Sequence, residues 1–525
     1  MDHTDLDRTR NPSCDDRISI TEWPMDLSSE EKNKNQPYTE FANSSNFEAH
    51  KYVHVDQTQS ETMCIALPHE QLSFKRKQQS TFLTVSTKHP TVFDGIRKDY
   101  VEPMAAVRVA KWWRKKRVDT NLGITYKNPN TKLYHISRME ACQEFLRGEQ
   151  KILKRRLSVC STAERASTHA ALASIEDWLN NYDTALKNIT LAVELCPTNS
   201  DFLWLKAKLS KQVKWFHIQK EMNEKYKQHF KVFPPVQKVD RISCKNLSVQ
   251  EFKERFVKKG IPVILEDVVC RMTEESWDLD YIKDKAGCIN VSVKHNVPGS
   301  VEWAKLEESR QMTVADHIIK IKEGQTEDYL FDWSLPLHCP HLANEIVIPD
   351  HFSDNFLTQT SPGSLYHDSW PSLFVAPAGV VSDLHVDAFA SSFWMALFQG
   401  EKRWTFFDAS DLASLYPQYV HSLDPVFSVN IVQPDLKSFP LLALTKPKQC
   451  VIKAGDLLFV PFGSPHFVEN LTASVAVSSN YVDATNYHQV CEELRVNGLL
   501  DPRAKHLLDQ LESSDFKART MSTNN

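Results

Sequence analysis

Histidine and aspartate two residues apart can hold a metal when the backbone between them is extended, because a strand sends residues i and i+2 to one face. The chain has three such triplets: His3/Asp5, His54/Asp56 and His385/Asp387. With 20 His and 67 acidic residues in 525, chance supplies about two or three His-x-acid triplets, so the triplet alone identifies nothing. A third ligand separates them. About eighty residues after Asp387, His466 follows the apolar run DLLFVPF and a Gly-Ser-Pro turn. Two neutral imidazoles and a carboxylate on one side of a metal leave the other side open, the facial arrangement of non-haem Fe(II) oxygenases. His3 and His54 lie in a polar stretch with no such partner and no scaffold to hold ligand geometry.

Those ligands need strands to carry them. IPVILEDVV (261–269), CINVSV (288–293), DYLFDWSL (328–335), SLFVAP (372–377), SSFWMALFQ (391–399), KRWTFFD (402–408), CVIKAGDLLFVPF (450–462) and SVAVSSNYV (474–482) are rich in β-branched and aromatic residues and bounded by turns. So many strands with few long helices between them predict a β-barrel or double-sheet jelly roll. Phe393, Trp394, Phe398, Trp404, Phe406 and Phe407 read as barrel core at period-two spacing, not as a substrate cage.

The rest of the chain divides around this barrel. Residues 1–100 are polar and read as mostly disordered. Residues 101–230 read as helical, opening on MAAVRVAKWWRKKRV, whose basic residues beside Trp112 and Trp113 could touch RNA or an acidic partner or simply form a solvated face. Around 165–210, Tyr182, Ala185, Leu186, Ile189, Ala192 and Leu195 recur at helical spacing before Pro197. This resembles one tetratricopeptide repeat, serving as a peptide-binding groove or as a prop for the next domain. The separate segments SDFLWLKAKLSKQ and KEMNEKYKQHF are expected to pack on it. Residues 231–485 hold the barrel, and 486–525 form a helical tail that packs on the barrel or on a second copy.

A net charge of −5 argues against bulk electrostatic binding to nucleic acid, leaving a local basic patch open. No run approaches eighteen apolar residues and the N-terminus has no apolar signal core, so a soluble protein of nucleus or cytoplasm with no membrane contact is expected. Eleven scattered cysteines without a CxxC pair suit reduced thiols better than a disulfide framework.

LHVDAFASSFWMALFQGEKRWTFF, VIKAGDLLFVPFGSPHFVENL and SVAVSSNYV together resemble the metal-binding core of the Jumonji C (JmjC) 2-oxoglutarate oxygenases, over roughly residues 245–485. The likeness is greatest to the branch of protein hydroxylases that includes the bifunctional arginine demethylase and lysyl hydroxylase, where Gly-x-Lys-Arg-Trp follows His-x-Asp at this spacing. The resemblance implies a double-stranded β-helix of the cupin kind in an α+β multidomain chain, with Fe(II) and 2-oxoglutarate as cofactors. It implies His385, Asp387 and His466 as iron ligands and Lys402 as partner of the distal cosubstrate carboxylate. Ser382, Ser478 and Tyr329 are implied as further cosubstrate contacts, and Asn480 as a residue near the pocket. The implied reaction is hydroxylation, or N-demethylation, of a protein side chain such as Lys or Arg.

The chain departs from that branch at Met395, where the branch has an Asn; a thioether cannot donate a hydrogen bond. Gly463, Ser464 and Pro465 also replace a bulky aromatic pair common in the family. Two rivals stay open: an RNA-base hydroxylase, and a non-catalytic JmjC-like adaptor that binds proteins through its helical region.

Overall fold

The computed structural model describes residues 104–116, 126–226, 232–361 and 367–513, with Phe516. The reading of 1–100, and with it the triplets at His3 and His54, lies outside the described residues. All described residues fall in one unit, Lys77–Asn525.

Six helices come first: α1 (Met104–Lys116), α2 (Pro129–Arg138), α3 (Glu140–Leu157), α4 (Thr162–Trp178), α5 (Tyr182–Leu195) and α6 (Ser200–Tyr226). Asn128 starts α2 by accepting hydrogen bonds from the amides of Asn130 and Thr131, with Pro129 in the first turn where its missing N–H costs nothing. Between α4 and α5, Ala166, Ala170 and Ala173 meet Ala185, Ile189 and Ala192, so small side chains bring the helices close. Over the described residues, the two segments expected after α5 are one unbroken helix of 27 residues, Ser200–Tyr226, because nothing in that span is a Gly or Pro that would stop it. α6 docks on the β-domain. The Gln212 side-chain Oε1 accepts from the Tyr419 backbone amide at 3.0 Å, and the Trp215 indole donates to the Tyr419 hydroxyl at 3.0 Å.

The strands are β1 (Gln237–Lys238), β2 (Asp240–Ser243), β3 (Val263–Glu266), β4 (Asn290–Asn296), β5 (Leu306–Thr313), β6 (Leu330–Ser334), β7 (Ser372–Ala376) and β8 (Val381–His385). They continue with β9 (Ser392–Gln399), β10 (Glu401–Phe406), β11 (Pro417–Gln418), β12 (Val426–Phe427), β13 (Lys448–Lys453), β14 (Leu457–Val460), β15 (His466–Asn470) and β16 (Ser474–Tyr481). One sheet runs β1-β13-β10-β15-β8 and the other β2-β3-β14-β9-β16-β7-β6. Each of the pairs β7/β8, β9/β10, β13/β14 and β15/β16 divides between the two sheets, which is the double-stranded β-helix expected.

The larger sheet is buried on both faces. Phe374, Phe393, Met395, Leu397 and Leu458 point between the sheets, while Leu373, Trp394, Ala396 and Phe459 pack outward on Phe252, Trp277, Ile282 and Ile318. This double burial explains apolar runs such as SLFVA that do not alternate. The outer layer contains helices Leu279–Ala286 and Val314–Lys322, too short for the sequence pattern to announce. The segment 450–462, read as one strand run, is two strands in opposite sheets. The chain turns at Gly455, whose φ of 99° suits a residue without Cβ.

Helices α7 (Tyr487–Asn497) and α8 (Pro502–Leu511) form the tail. Val490, Leu494, Leu507 and Leu511 pack on Phe356, Ala388 and Phe389 of the same chain's β-domain. No helix among the described residues is long and apolar enough to cross a membrane.

Candidate metal centre

His385 ends β8, His466 begins β15, and the two face each other in the antiparallel register. Asp387 follows two residues after the strand end, and the ligand atoms of all three lie within 4.8 Å of one another. The imidazoles are aimed by the backbone. Nδ1 of His385 lies 2.6 Å from the Asp383 carbonyl, and Nδ1 of His466 lies 3.0 Å from the Ser464 carbonyl. A carbonyl can only accept, so each Nδ1 carries the proton and each Nε2 keeps its lone pair, the tautomer a metal ligand needs.

The protonation equilibria agree. Burial pushes the His466 imidazolium down to about 4, so the ring is neutral. Burial, with Asp332 and Asp424 adding to it, pushes the Asp387 carboxyl up to about 8. A dication between Asp387 and two Nε2 lone pairs offsets that cost, so the three residues fit a divalent metal.

Across the cleft, Lys402 of β10 is 0% exposed, and its Nζ donates to the Tyr329 hydroxyl at 3.1 Å. Among the described residues it has no carboxylate within ion-pair distance. Desolvation alone pulls its ammonium down to about 7. A buried cation without a counter-ion is costly unless a ligand brings the anion. Ser382 and Ser478 are buried in the same cleft. Met395 lies opposite Ser478 across β9 and β16.

His385, Asp387, His466, Lys402, Ser382, Ser478, Tyr329, Asn480 and Met395, far apart in sequence, thus line one cleft. Asn480 is already engaged. Its amide donates to the Ser391 hydroxyl at 2.6 Å, bracing the turn after Asp387 in which Phe389 and Ala390 take positive φ. Phe393 and Trp404 are core residues, as their spacing indicated, but they also wall the cleft, with ring centroids 5.8 and 5.5 Å from that of His466.

Two residues escaped the sequence reading. The Trp303 indole donates to the Val386 carbonyl, between the two clustered ligands, at 2.9 Å, and its ring centroid lies 4.2 Å from that of His385. Asp332 takes the left-handed conformation, φ 53°, accepts from the Ser372 hydroxyl at 2.6 Å, and is held above the usual carboxylate range by burial. Neither announces itself by spacing, and only the loop geometry delivers them. Trp303→Phe keeps a ring against His385 but loses the hydrogen bond to Val386. Its affinity for Co(II), followed by the ion's absorption bands, is expected to fall about tenfold, the size of other outer-shell losses; unchanged affinity would deny Trp303 a part in holding the ligands.

Residues 249–487 match the cupin-like domain family. They form a cupin-like domain. The chain is similar over this region to lysine-specific demethylase 8 of Danio rerio, 30% identical over 254 residues, which are 47% of this chain and 59% of the relative. It is similar to arginine-specific demethylase JMJ22 of Arabidopsis thaliana, 28% identical over 280 residues, 50% of this chain and 49% of the relative. A third relative is the bifunctional arginine demethylase and lysyl-hydroxylase psr-1 of Caenorhabditis elegans, 24% identical over 273 residues, 50% of this chain and 66% of the relative. The matches span between about half and two thirds of these relatives' own lengths. Helices α1 to α6 lie before the matched cupin-like domain.

Proposed function

We propose that this chain is an Fe(II)- and 2-oxoglutarate-dependent oxygenase that hydroxylates, or N-demethylates, a protein side chain such as Lys or Arg. The observation that carries the reading is the pairing, in one cleft, of a His-Asp-His cluster with a buried cation that lacks an anion. The names of the relatives, demethylases and a lysyl-hydroxylase, point to the same substrate class.

When bound, Fe(II) with 2-oxoglutarate and O₂ supplies the oxidation of a C–H bond, coupled to decarboxylation of 2-oxoglutarate to succinate and CO₂. The chain's part is positional and electrostatic. His385, Asp387 and His466 would hold the metal. Lys402 and Tyr329 neutralise and orient the distal carboxylate of the cosubstrate, with the Ser382 and Ser478 hydroxyls beside them. Phe393 and Trp404 keep water from the rear wall. Met395, where the related branch has Asn, places a soft apolar surface in the cleft and leaves the anion to Lys402, Tyr329 and the two serines.

Residues 101–230 are read as a TPR-like helical unit that props the domain at 231–485, since α6 is bonded to Tyr419 of that domain. Residues 486–525 are read as a tail bracing the cleft wall at Phe389. Nucleus or cytoplasm suits this activity.

Lys402 gives the reading a pH signature. Its ammonium titrates near 7 without an anion, and a bound dicarboxylate restores the proton. At saturating metal, the Kd for 2-oxoglutarate is therefore expected to weaken about fivefold from pH 7 to pH 8 and about tenfold per unit beyond. Titration calorimetry across that range checks this; a flat profile removes Lys402 from the cosubstrate site. The substrate class is tested by mass spectrometry of proteins from cells expressing wild type or His385→Ala/Asp387→Ala. Gain of one oxygen or loss of N-methyl groups on Lys or Arg only with wild type is expected; identical profiles contradict it.

A further inference from the structure

We propose that the outer face of helices α1 and α3 binds the phosphate backbone of a nucleic acid. Residues 104–157 contain fourteen Lys and Arg against four Asp and Glu, a net of +10 in a chain whose total is −5. Charge segregated to this degree raises a local positive potential that the net charge of the whole conceals.

The structure arranges these cations. Arg147, Lys151, Lys154 and Arg155 recur at helical spacing along α3, and Lys111, Arg114 and Lys115 do so on α1, so each set forms one stripe. All seven are exposed. Arg108 pairs with Glu149 and Trp112 stacks on Phe145 at 5.6 Å, a descending match that makes the two helices antiparallel neighbours. Their apolar residues, Ala105 and Val109 on α1 with Cys142, Leu146 and Leu153 on α3, turn into the bundle core. Both basic stripes are left on the outside.

Most of the stripe charge is uncompensated. Lys154 reaches Glu176 at 3.2 Å, whereas Lys111, Arg114, Lys115, Arg147, Lys151 and Arg155 have no carboxylate within ion-pair distance among the described residues. The acids of α3 on its exposed side, Glu140 and Glu144, stand in its first turns, and the basic run beyond them from Arg147 to Arg155 spans about 12 Å.

The surface selects among polyanions. It is made of two helix exteriors, with no sheet edge to pair with the backbone of an acidic peptide. Its exposed large aliphatics are Ile152 and Val159, two isolated side chains and not the apolar face with which an interfacial helix enters a membrane. A nucleic acid needs neither, because its charges are continuous. Trp112 and Trp113 are partly buried against the bundle core, so the exposed cations carry the binding, which is sequence-independent and governed by salt.

The test uses the full chain and a fluorescein-labelled single-stranded RNA followed by anisotropy, without metal or cosubstrate, so that its outcome is separate from that of the enzyme reading. With four phosphates neutralised, affinity should fall about 50-fold between 50 and 200 mM salt. Arg147→Glu/Lys151→Glu/Arg155→Glu should lose at least about tenfold in affinity with its melting temperature unchanged. Lys111→Gln/Lys115→Gln provides a milder second variant should charge reversal impair folding. RNA affinity unchanged in both variants overturns the proposal. So does a polyglutamate peptide, or vesicles containing phosphatidylserine, binding wild type as tightly as RNA does.

Discussion

Lys402→Met should give a protein that melts at a higher temperature than wild type and no longer binds 2-oxoglutarate. The ammonium is fully buried, and its proton affinity is drawn from the ordinary 10.5 down to about 7 by desolvation alone. At neutral pH that depression costs the cosubstrate-free fold on the order of 3–5 kcal/mol. Methionine has similar volume and no charge to desolvate, and replacing buried charge by well-packed apolar groups often stabilises. The sign follows from linkage. Between pH 7 and 10.5 the unfolded chain holds the proton that the folded chain has released, so wild-type stability rises with pH over that window. The advantage of Lys402→Met should therefore shrink as pH approaches 10.5. Thermal unfolding from pH 7 to 10, with and without 2-oxoglutarate, measures both effects. A variant that is less stable than wild type, or that keeps a cosubstrate-induced shift, would mean that Lys402 is structural.

The second large effect concerns Asp387. Asp387→Asn removes the single carboxylate of the ligand cluster and keeps its shape. Affinity for Fe(II) or Co(II) should fall by more than about 100-fold, beyond the range seen for outer-shell losses. The metal-free protein should be at least as stable as wild type, because burial and the neighbouring Asp332 and Asp424 oppose ionisation of Asp387. Metal titration and thermal unfolding on one sample separate the two. Unaltered metal affinity would place the ion elsewhere.

The site was legible where strands carry it. His385 and His466 sit at facing ends of β8 and β15, and period-two geometry with an apolar run before His466 is enough to bring them together. Lys402 was legible only through the family resemblance carried by Gly400-Glu401-Lys402-Arg403-Trp404; alone on a strand it reads as an ordinary edge lysine. What stayed hidden depends on loops. Trp303 reaches the ligands from a turn in which Ala304 and Lys305 take positive φ, and Asp332 is itself left-handed; no spacing rule encodes such backbone. The engagement of Asn480 by Ser391 is likewise a matter of two segments 89 residues apart. The outer helical layer was missed because its helices are short, and α6 was broken in two although no residue in it stops a helix. The basic segment at 104–118 was seen, but its tryptophans proved to be packing residues and its cations gained a second row only when α3 came alongside α1.

Succinate release by the purified full chain with Fe(II), 2-oxoglutarate and ascorbate, beside His385→Ala/Asp387→Ala, tests most directly the proposed coupling of a metal to 2-oxoglutarate in this cleft. Succinate from wild type and none above background from the variant is the result expected. Equal succinate from both proteins, or a wild type that neither binds metal nor gains thermal stability from 2-oxoglutarate, would contradict it.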